Sequence, residues 1–206
     1  MSPRPRATSD AQIFAATYRA VSRLGPVKLT LAKVAAEAGV SPATLVLRFG
    51  SKRGLLLAFA ENGTAGAGDE VDVIRRKHSS PLEALAAFAD CFAGLAPTPE
   101  VLANNLAFLQ IDLVDPDFRK LADAQAQSTR REIRKFLDDA VESGELQPCD
   151  TGRLALAVAG MMNGSLLQWA IDREGDVKKR MRADLDTLLR PRRLPSKKTR
   201  RRRLRR

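Results

Sequence analysis

The chain has 206 residues, enough for one or two domains, and its 44% hydrophobic residues exclude a fully disordered polypeptide. Its formal net charge is +11, but residues 190–206 hold 11 basic residues and no acidic one, which leaves 24 basic against 24 acidic residues elsewhere. A uniformly basic surface is therefore excluded, and the tail suits polyanions, nucleic acid before an anionic membrane surface. Leucine and alanine dominate and aromatic residues are few, which predicts an all-α protein.

The residues that usually carry catalysis or bind metals are scarce. His78 is the only histidine, no Glu-x-x-His pair occurs, and neither a Cys–His nor a Ser–His–Asp set can be assembled. We therefore expect no enzyme activity, no catalytic residue, no metal and no cofactor. Cys91 and Cys149 are far apart, which predicts free thiols in the cytoplasm, and the polar residues 1–12 are unlike a signal peptide.

The first seventy residues predict an arm followed by four helices. Residues 1–8 are polar, basic and interrupted by proline, which predicts a flexible arm. The first helix runs from about residue 10 to residue 24 and ends at Gly25-Pro26. The second follows Thr30, an N-cap residue, and the fourth begins near Lys52. Residues 63–70, GTAGAGDE, predict a loose connection, because no strand precedes them to make a phosphate-binding loop.

The corner between the second and third helices has the most informative pattern. Gly39 suits a left-handed turn, and Ser41 with Pro42 suits the start of the next helix. Leu45 and Phe49 are four residues apart and can anchor that helix to the others. This predicts a helix-turn-helix whose third helix enters the DNA major groove, the alternative being an ordinary helical corner.

Residues 10–59 resemble the DNA-binding domain of the tetracycline-repressor (TetR) family of transcriptional regulators. The matching residues are Ala35, Ala38, Gly39, Val40, Ser41, Thr44, Leu45, Phe49, Ser51, Lys52, Leu55 and Leu56. The resemblance implies a three-helix helix-turn-helix domain at 9–60, then a helical-bundle domain at 70–190 for ligand binding and dimerisation. It also implies a ligand-responsive repressor that binds a near-palindromic operator on double-stranded DNA as a homodimer.

The expected DNA contacts lie at this corner. Family members usually carry a tyrosine that touches phosphate where this chain has Val46, and often a polar residue where it has Leu47. The outward face of the third helix can thus contact thymine methyl groups but offers no bidentate base contact. The lysines and Arg53 suit phosphates, the alternative being solvated surface charges. The predicted contacts are Lys28, Thr30, Lys33, Ser41, Pro42, Ala43, Thr44, Val46, Leu47, Arg48 and Lys52.

Five more helices are expected, at about 81–95, 98–114, 116–143, 150–172 and 175–189. Polar residues set into an apolar helix predict a pocket for a small apolar effector. The expected ligand contacts are Asn105, Phe108, Asp112 and Met161. The alternative is that the polar residues among them face solvent or cap neighbouring helices.

The run from Leu154 to Ile171 is apolar nearly all round, so it predicts a helix covered on both sides rather than a membrane span. We expect a partner subunit to cover the second side of this helix, the alternative being a larger core within a monomer. The expected dimerisation residues are Gly160, Gly164, Leu167 and Trp169.

The basic tail, residues 191–206, predicts a disordered electrostatic clamp on DNA. The alternative for the tail is a solvated run that improves solubility. For the whole protein, the alternative to a specific regulator is a low-specificity DNA-coating protein that relies on this tail.

Overall fold

The computed structural model describes residues 8–65 and 67–194, the side chains of residues 64, 65 and 67–70 excepted. Within these residues the chain forms ten α-helices and no strand, which confirms the all-α prediction. The helices are α1 (Asp10–Lys28), α2 (Leu31–Ala38), α3 (Pro42–Phe49), α4 (Lys52–Ala65), α5 (Ala67–Lys77), α6 (Pro81–Gly94), α7 (Pro99–Val114), α8 (Pro116–Glu142), α9 (Thr151–Asp172) and α10 (Val177–Leu189), followed by a 3-10 helix (Arg190–Arg192).

Local side-chain chemistry sets the bounds of α1. Ser9 and Gln12 form a capping box, in which Gln12 N donates to Ser9 Oγ at 3.3 Å and Ser9 N donates to Gln12 Oε1 at 2.9 Å. Gly25 interrupts the helix with φ 68° and ψ 167°, where the sequence predicts its end. A β-carbon at this position would lie 2.6 Å from Asn104 Oδ1, so glycine meets both a conformational and a steric demand.

The prediction of a loose connection at residues 63–70 is wrong. Residues 63–65 end α4 and residues 67–70 begin α5, a helix that the sequence does not predict. In α5 the buried hydrophobic residues are Val71 and Ile74, and the helix packs on α6. The sequence shows no clear helical stripe here, because Val71 and Ile74 are only two apolar residues and they follow a segment of three glycines and two alanines, residues 63–68.

The chain separates into two compact units. Unit 1 comprises Met1–Gly66 and Glu100–Ala124, so α7 and the start of α8 pack with α1–α4. The physical reason is apolar packing, because Phe118 lies in the unit 1 core and Phe108 packs against it. The buried core of unit 1 is formed by Ile13, Ala20, Val21, Leu29, Val34, Ala35, Leu45, Leu55, Leu56 and Phe118.

Unit 2 comprises Ala67–Pro99 and Gln125–Arg206. In its described part, α10 packs on both α6 and α9. Arg182 of α10 forms a two-oxygen ion pair with Asp90 of α6, with its Nε and Nη2 atoms 2.6–3.0 Å from the carboxylate. Arg180 pairs with Asp172 at the end of α9, at 2.7 Å and 3.1 Å. Fully buried side chains of unit 2 include Leu85, Ile133, Phe136, Leu137, Val158 and Met181.

The first residues of the predicted basic tail are ordered, which corrects its start from residue 191 to beyond Leu194. Gln147 N donates to the carbonyl of Arg192, and Leu194 N donates to the carbonyl of Glu145, both at 2.9 Å. These backbone pairs hold residues 192–194 beside the turn after α8. The remainder of the tail, residues 195–206, and residues 1–7 of the predicted arm lie outside the described residues.

Candidate DNA interface, subunit interface and cavity

The corner between α2 and α3 is closed by local hydrogen bonds. Thr30 Oγ1 accepts from Lys33 N at 3.3 Å to begin α2, and Ser41 Oγ accepts from Thr44 N at 3.1 Å to begin α3. Between them Gly39 has φ 67° and ψ 32°, the left-handed conformation that the sequence predicts. Because each bond spans only three residues, neighbouring residues set the caps of α2 and α3.

The outward face of α3 is apolar. Leu45 is fully buried, whereas Val46 is 49% exposed and Leu47 is 89% exposed. Ala43 and Pro42 are also exposed. Two branched aliphatic side chains therefore stand in solvent on the helix that the corner presents.

Thr44 is the one hydroxyl residue within α3. It is half-buried, and its Oγ1 lies 2.9 Å from Ser41 Oγ. This hydroxyl pair ties Thr44 to the N-cap of its own helix. The outward face of α3 therefore offers apolar contacts and one hydroxyl group, which is already hydrogen-bonded to Ser41.

Three of the cations predicted to contact DNA bind backbone carbonyls. Lys33 Nζ donates to the carbonyl of Lys28 at 2.8 Å, and Lys52 Nζ donates to that of Pro26 at 2.6 Å. Both carbonyls lie in the last turn of α1, where the helix dipole favours positive charge. Arg48 binds the carbonyl of Thr8 at 2.6 Å. These side chains stabilise the corner in the absence of DNA, and Lys28 itself is exposed.

Arg53 holds other elements of unit 1 together and is not a free phosphate contact. Its Nε and Nη2 atoms donate to the two carboxylate oxygens of Asp115 at 3.0 Å and 2.8 Å, and Nη2 also donates to Asp117 at 2.6 Å. The guanidinium lies 5.7 Å from the ring centre of Phe118. The hydrogen bond from Arg53 holds the pKa of Asp115 below its ordinary value. Arg53 therefore joins the start of α4 to the turn between α7 and α8.

The four predicted effector contacts fall in different units. Asn105, Phe108 and Asp112 belong to unit 1, and Met161 belongs to unit 2. Phe108 stacks edge-on against Phe118, with ring centres 5.9 Å apart, so it is a packing residue of the unit 1 core. The prediction that these residues contact an effector stays a prediction.

Unit 2 contains a cavity of about 280 Å³ that the sequence did not predict, because α5 forms part of its wall. Its walls are mostly apolar, and Oε1 of Gln125 is buried there without a hydrogen-bond donor. Cys91, predicted to be outside any disulfide, lines it and forms no disulfide bond. The lining residues are Val71, Ile74, Phe88, Cys91, Phe92, Leu95, Gln125, Ser128, Thr129 and Glu132.

Helix α9 has one covered face and one open face. Trp169 is 7% exposed, and its Nε1 donates to the carbonyl of Gly175 at 3.2 Å, so it packs within its own chain and the prediction of Trp169 as a dimer contact is not supported. A β-carbon added at Gly160 or Gly164 would meet nothing within 4 Å. The open face is formed by Leu156, Gly160, Gly164, Leu167 and Ile171, all exposed and three or four residues apart.

By length and composition, α9 is also the one helix among the described residues that could cross a membrane. Its buried residues include Leu154, Val158, Met162 and Leu166, which line the face opposite to the open one. The helix is therefore half-covered by its own unit, as the core helix of a bundle is.

The partly buried carboxyl group of Asp112 is expected to lower the unfolding free energy at neutral pH. Burial raises the pKa of Asp112 from 3.8 to about 6. A carboxyl group with a raised pKa in the folded state stabilises the fold fully below its unfolded pKa, and this stabilisation is lost as the pH rises through the folded pKa. We expect Asp112→Asn to raise the unfolding free energy at neutral pH by about 1 kcal/mol, allowing for partial exposure.

The measurement is chemical unfolding of the wild type and Asp112→Asn at neutral pH and at about pH 4, close to the unfolded pKa of the carboxyl group. The gain should be much smaller at the lower pH, because the carboxyl group is protonated in the folded state and partly protonated in the unfolded state. Asp72→Asn, an exposed aspartate of α5, is the matched control and should show no gain at either pH. Equal stability of wild type and Asp112→Asn at neutral pH would contradict the expected cost of burial.

A helix-turn-helix corner with an exposed third helix, joined to an all-helical unit with an open glycine face, defines a DNA-binding transcriptional regulator. The model of bacterial regulatory proteins of the tetR family matches residues 13–59, and that of the C-terminal domain of BetI-type transcriptional repressors matches residues 82–191. The chain therefore belongs to the TetR family of transcriptional regulators, and it is a regulator rather than an enzyme.

Comparison with individual proteins agrees with this assignment. The chain is 25% identical over 161 residues to the HTH-type transcriptional regulator BetI of Brucella abortus, covering 78% of this chain and 79% of the relative. A TetR transcription regulator from Haloarcula marismortui has a similar fold, with a TM-score of 0.75 and 17% identity, over 90% of this chain and 98% of that one. FadR of Bacillus subtilis, solved in complex with stearoyl-CoA, also has a similar fold, with a TM-score of 0.69 and 19% identity over 88% of this chain and 98% of that one.

Proposed function

We propose that this protein is a ligand-responsive repressor that acts in the cytoplasm and binds a near-palindromic operator as a homodimer. The observation that carries the proposal is the geometry of α3, where fully buried Leu45 anchors the helix while Val46 and Leu47 stand in solvent. Exposing two aliphatic side chains to water is unfavourable unless a partner covers them. The DNA major groove, with its thymine methyl groups, is a partner of the right shape and chemistry.

Phosphate contacts position α3 in the groove. Lys28, Lys33 and Lys52 lie around the end of α1 and the start of α4, and two of them must exchange a backbone carbonyl for a phosphate oxygen. The positive end of the helix dipole at the first turn of α4 favours an anion at the same place. Such contacts fix the register of the protein on DNA, and the apolar face of α3 then selects thymine-containing sequences.

Dimerisation uses the open face of α9. The two glycines, Gly160 and Gly164, are one helical turn apart and leave space for a second helix to approach closely. Leu156, Leu167 and Ile171 flank them and are 46–67% exposed, so their burial in an interface contributes favourable free energy. A two-fold axis at this face presents two copies of α3 to two half-sites, which accounts for a palindromic operator.

The cavity of unit 2 is the proposed effector site. At about 280 Å³ it lies near the lower end of the size range of ligand pockets, so a compact effector suits it better than a long acyl chain. FadR of Bacillus subtilis is solved with stearoyl-CoA, and the feature we carry over is the apolar character of the acyl chain of that ligand. The unpaired Oε1 of Gln125 favours an effector with a hydrogen-bond donor.

The test begins with a compound screen. Compact apolar compounds are screened for an increase in thermal stability, and each hit is tested on an operator selected from randomised duplex DNA. We expect hits to change operator affinity by about 5- to 150-fold, and operator DNA to change the affinity for the hit by the same factor. Ser128→Phe, which fills the cavity, should keep operator affinity and abolish the response.

Gln127→Phe is the matched control, because this exposed position is next to Ser128 but does not line the cavity. It should keep both operator affinity and the response. A Ser128→Phe protein that responds like the wild type would place the effector site elsewhere. Failure of the wild type to select any operator would refute the repressor itself.

A further inference from the structure

One wall of the unit 2 cavity is a polar stripe on α8. The stripe consists of Gln125, Ser128, Thr129 and Glu132, all of which line the cavity. The last three follow Gln125 by three, four and seven residues, so the four side chains share one face of the helix. Seven residues correspond to about 10 Å along the helix axis. The stripe therefore presents polar groups to the cavity over two turns of α8.

The walls that α5 and α6 contribute to the cavity are of the opposite kind. Apart from the thiol of Cys91 they are apolar, and their apolar members are Val71, Ile74, Phe88, Phe92 and Leu95. A polar stripe and an apolar wall give one cavity two chemically different sides. A ligand that suits both sides must combine hydrocarbon with a few polar groups.

Glu132 places a negative charge at one end of the stripe. Among the described residues that line the cavity, it is the only charged one. Its Oε1 accepts a hydrogen bond from Lys135 Nζ at 2.7 Å. The side chain of Lys135 is 60% exposed whereas that of Glu132 is 18% exposed, so the lysine approaches the carboxylate from solvent. Because a carboxylate has about four acceptor positions, Glu132 keeps the capacity to accept from a donor inside the cavity.

This charge favours a cation in the cavity over an anion or a neutral molecule. An ion pair with an exposed lysine contributes little free energy, because water screens it. A cation inside the cavity would meet the same carboxylate between apolar walls, where the attraction between opposite charges is stronger. The faces of the rings of Phe88 and Phe92 also attract positive charge.

Gln125, at the other end of the stripe, calls for a hydrogen-bond donor. Its Oε1 is buried and has no donor within the described part of the chain, and an acceptor left in this state costs free energy. Two turns of helix separate this oxygen from the carboxylate of Glu132. An extended ligand with one donor at each end matches both acceptors.

Resting on the proposed function, we propose that the unit 2 cavity binds a compact alkyl amine in its protonated form. Its ammonium group binds Glu132, and a second, uncharged donor binds Gln125. The hydrocarbon between the two groups packs on the apolar walls of α5 and α6. Alkyl amines are protonated at neutral pH, as the side chain of lysine is. The effector is then recognised by charge and direction as well as by its apolar body.

The experiment measures ligand affinity by isothermal titration calorimetry on the full chain without DNA. The probe is 6-aminohexan-1-ol, which has an ammonium and a hydroxyl group at opposite ends of a hydrocarbon chain. Hexane-1,6-diol lacks the charge, and the N,N,N-trimethyl derivative of the probe keeps the charge without an N–H group. We expect both to bind about tenfold more weakly than the probe. Hexylamine lacks the second donor and should bind about fivefold more weakly.

Three variants connect this preference to Glu132. Glu132→Gln should lower the affinity for the probe about tenfold and keep that for the diol, which shows that the cavity is intact. Lys135→Ala breaks the same ion pair from the other side, and it should not weaken the probe, because it removes a competing cation. Glu142→Gln removes a negative charge from an exposed position of α8 outside the cavity and should bind the probe as the wild type does.

The outcomes separate this inference from the proposed function. If the probe binds no more tightly than the diol, or if Lys135→Ala weakens it as much as Glu132→Gln does, the amine assignment is wrong. If the probe binds with the expected order of affinities but leaves the affinity for a selected operator unchanged, the amine site stands and the effector role of the cavity fails. If operator affinity responds to neutral apolar compounds and no amine binds, the proposed function stands without this inference.

Discussion

Replacing Leu45 with alanine is expected to lower the unfolding free energy of unit 1 by about 2–5 kcal/mol. Leu45 belongs to α3, the helix proposed to enter DNA, and its side chain is fully buried in the unit 1 core. Removing its side chain leaves a cavity between α3 and the helices it packs on, and a well-packed core collapses only partly into such a cavity. Operator binding should fall with stability, because α3 loses its anchor.

Leu47→Ala is the matched comparison, since it removes the same atoms from the same helix two residues later. Leu47 is 89% exposed, so the loss of its side chain should leave the stability of unit 1 unchanged. Its effect should appear on DNA alone, as weaker binding to a selected operator and a smaller preference for thymine under α3.

The measurement is native-state hydrogen exchange of amides in α1 and α4, which reports the stability of unit 1 separately from that of unit 2. Operator affinity is measured on the same samples at one protein concentration and one salt concentration. Equal losses of stability in the two variants would show that α3 does not have one buried and one outward face. Unchanged operator affinity in Leu47→Ala would remove this residue from the DNA interface.

Gly164→Glu is expected to convert the protein to a monomer and to lower operator affinity on the order of 100-fold, because two linked half-sites become one. The substitution places a charge in the middle of the open face of α9, where a second helix would bury it without a partner. The chain itself should remain folded. A β-carbon at Gly164 meets no neighbour within 4 Å, and glutamate favours a helix interior more than glycine does.

Gly94→Glu is the control, because Gly94 is also exposed, also lies in unit 2 and also has open space above it. It should remain a dimer with wild-type operator affinity. The oligomeric state is measured by sedimentation at micromolar protein, and folding is checked by the helical signal in circular dichroism. A dimeric Gly164→Glu protein would move the subunit interface away from this face of α9.

The sequence alone determined the helix-turn-helix corner, because its structure depends on neighbours within about four residues. Thr30 and Ser41 cap the next helix through bonds that span three residues, and Gly39 adopts a left-handed conformation that few other residues tolerate. The bounds of α2 and α3 therefore follow from local chemistry.

Only the tertiary structure decided which distant segments meet. Helix α7 and Phe118 pack into unit 1 although a whole helix pair of unit 2 precedes them in the chain, and no local pattern records that return. The same holds for charged side chains. Arg53 and Arg48 look alike in the sequence as possible phosphate contacts, but their partners, Asp115 and Thr8, lie 62 and 40 residues away.

The face of α9 that stays open was also decided by packing. Its sequence is apolar nearly all round, so hydrophobic periodicity cannot choose a side. Helices α6 and α10 pack on α9, whose buried side contains Val158 and Trp169, whereas Gly160 and Gly164 remain uncovered. An apolar composition thus determines that a helix must be covered, whereas the path of the chain determines which face its own fold covers and which face is left for a partner.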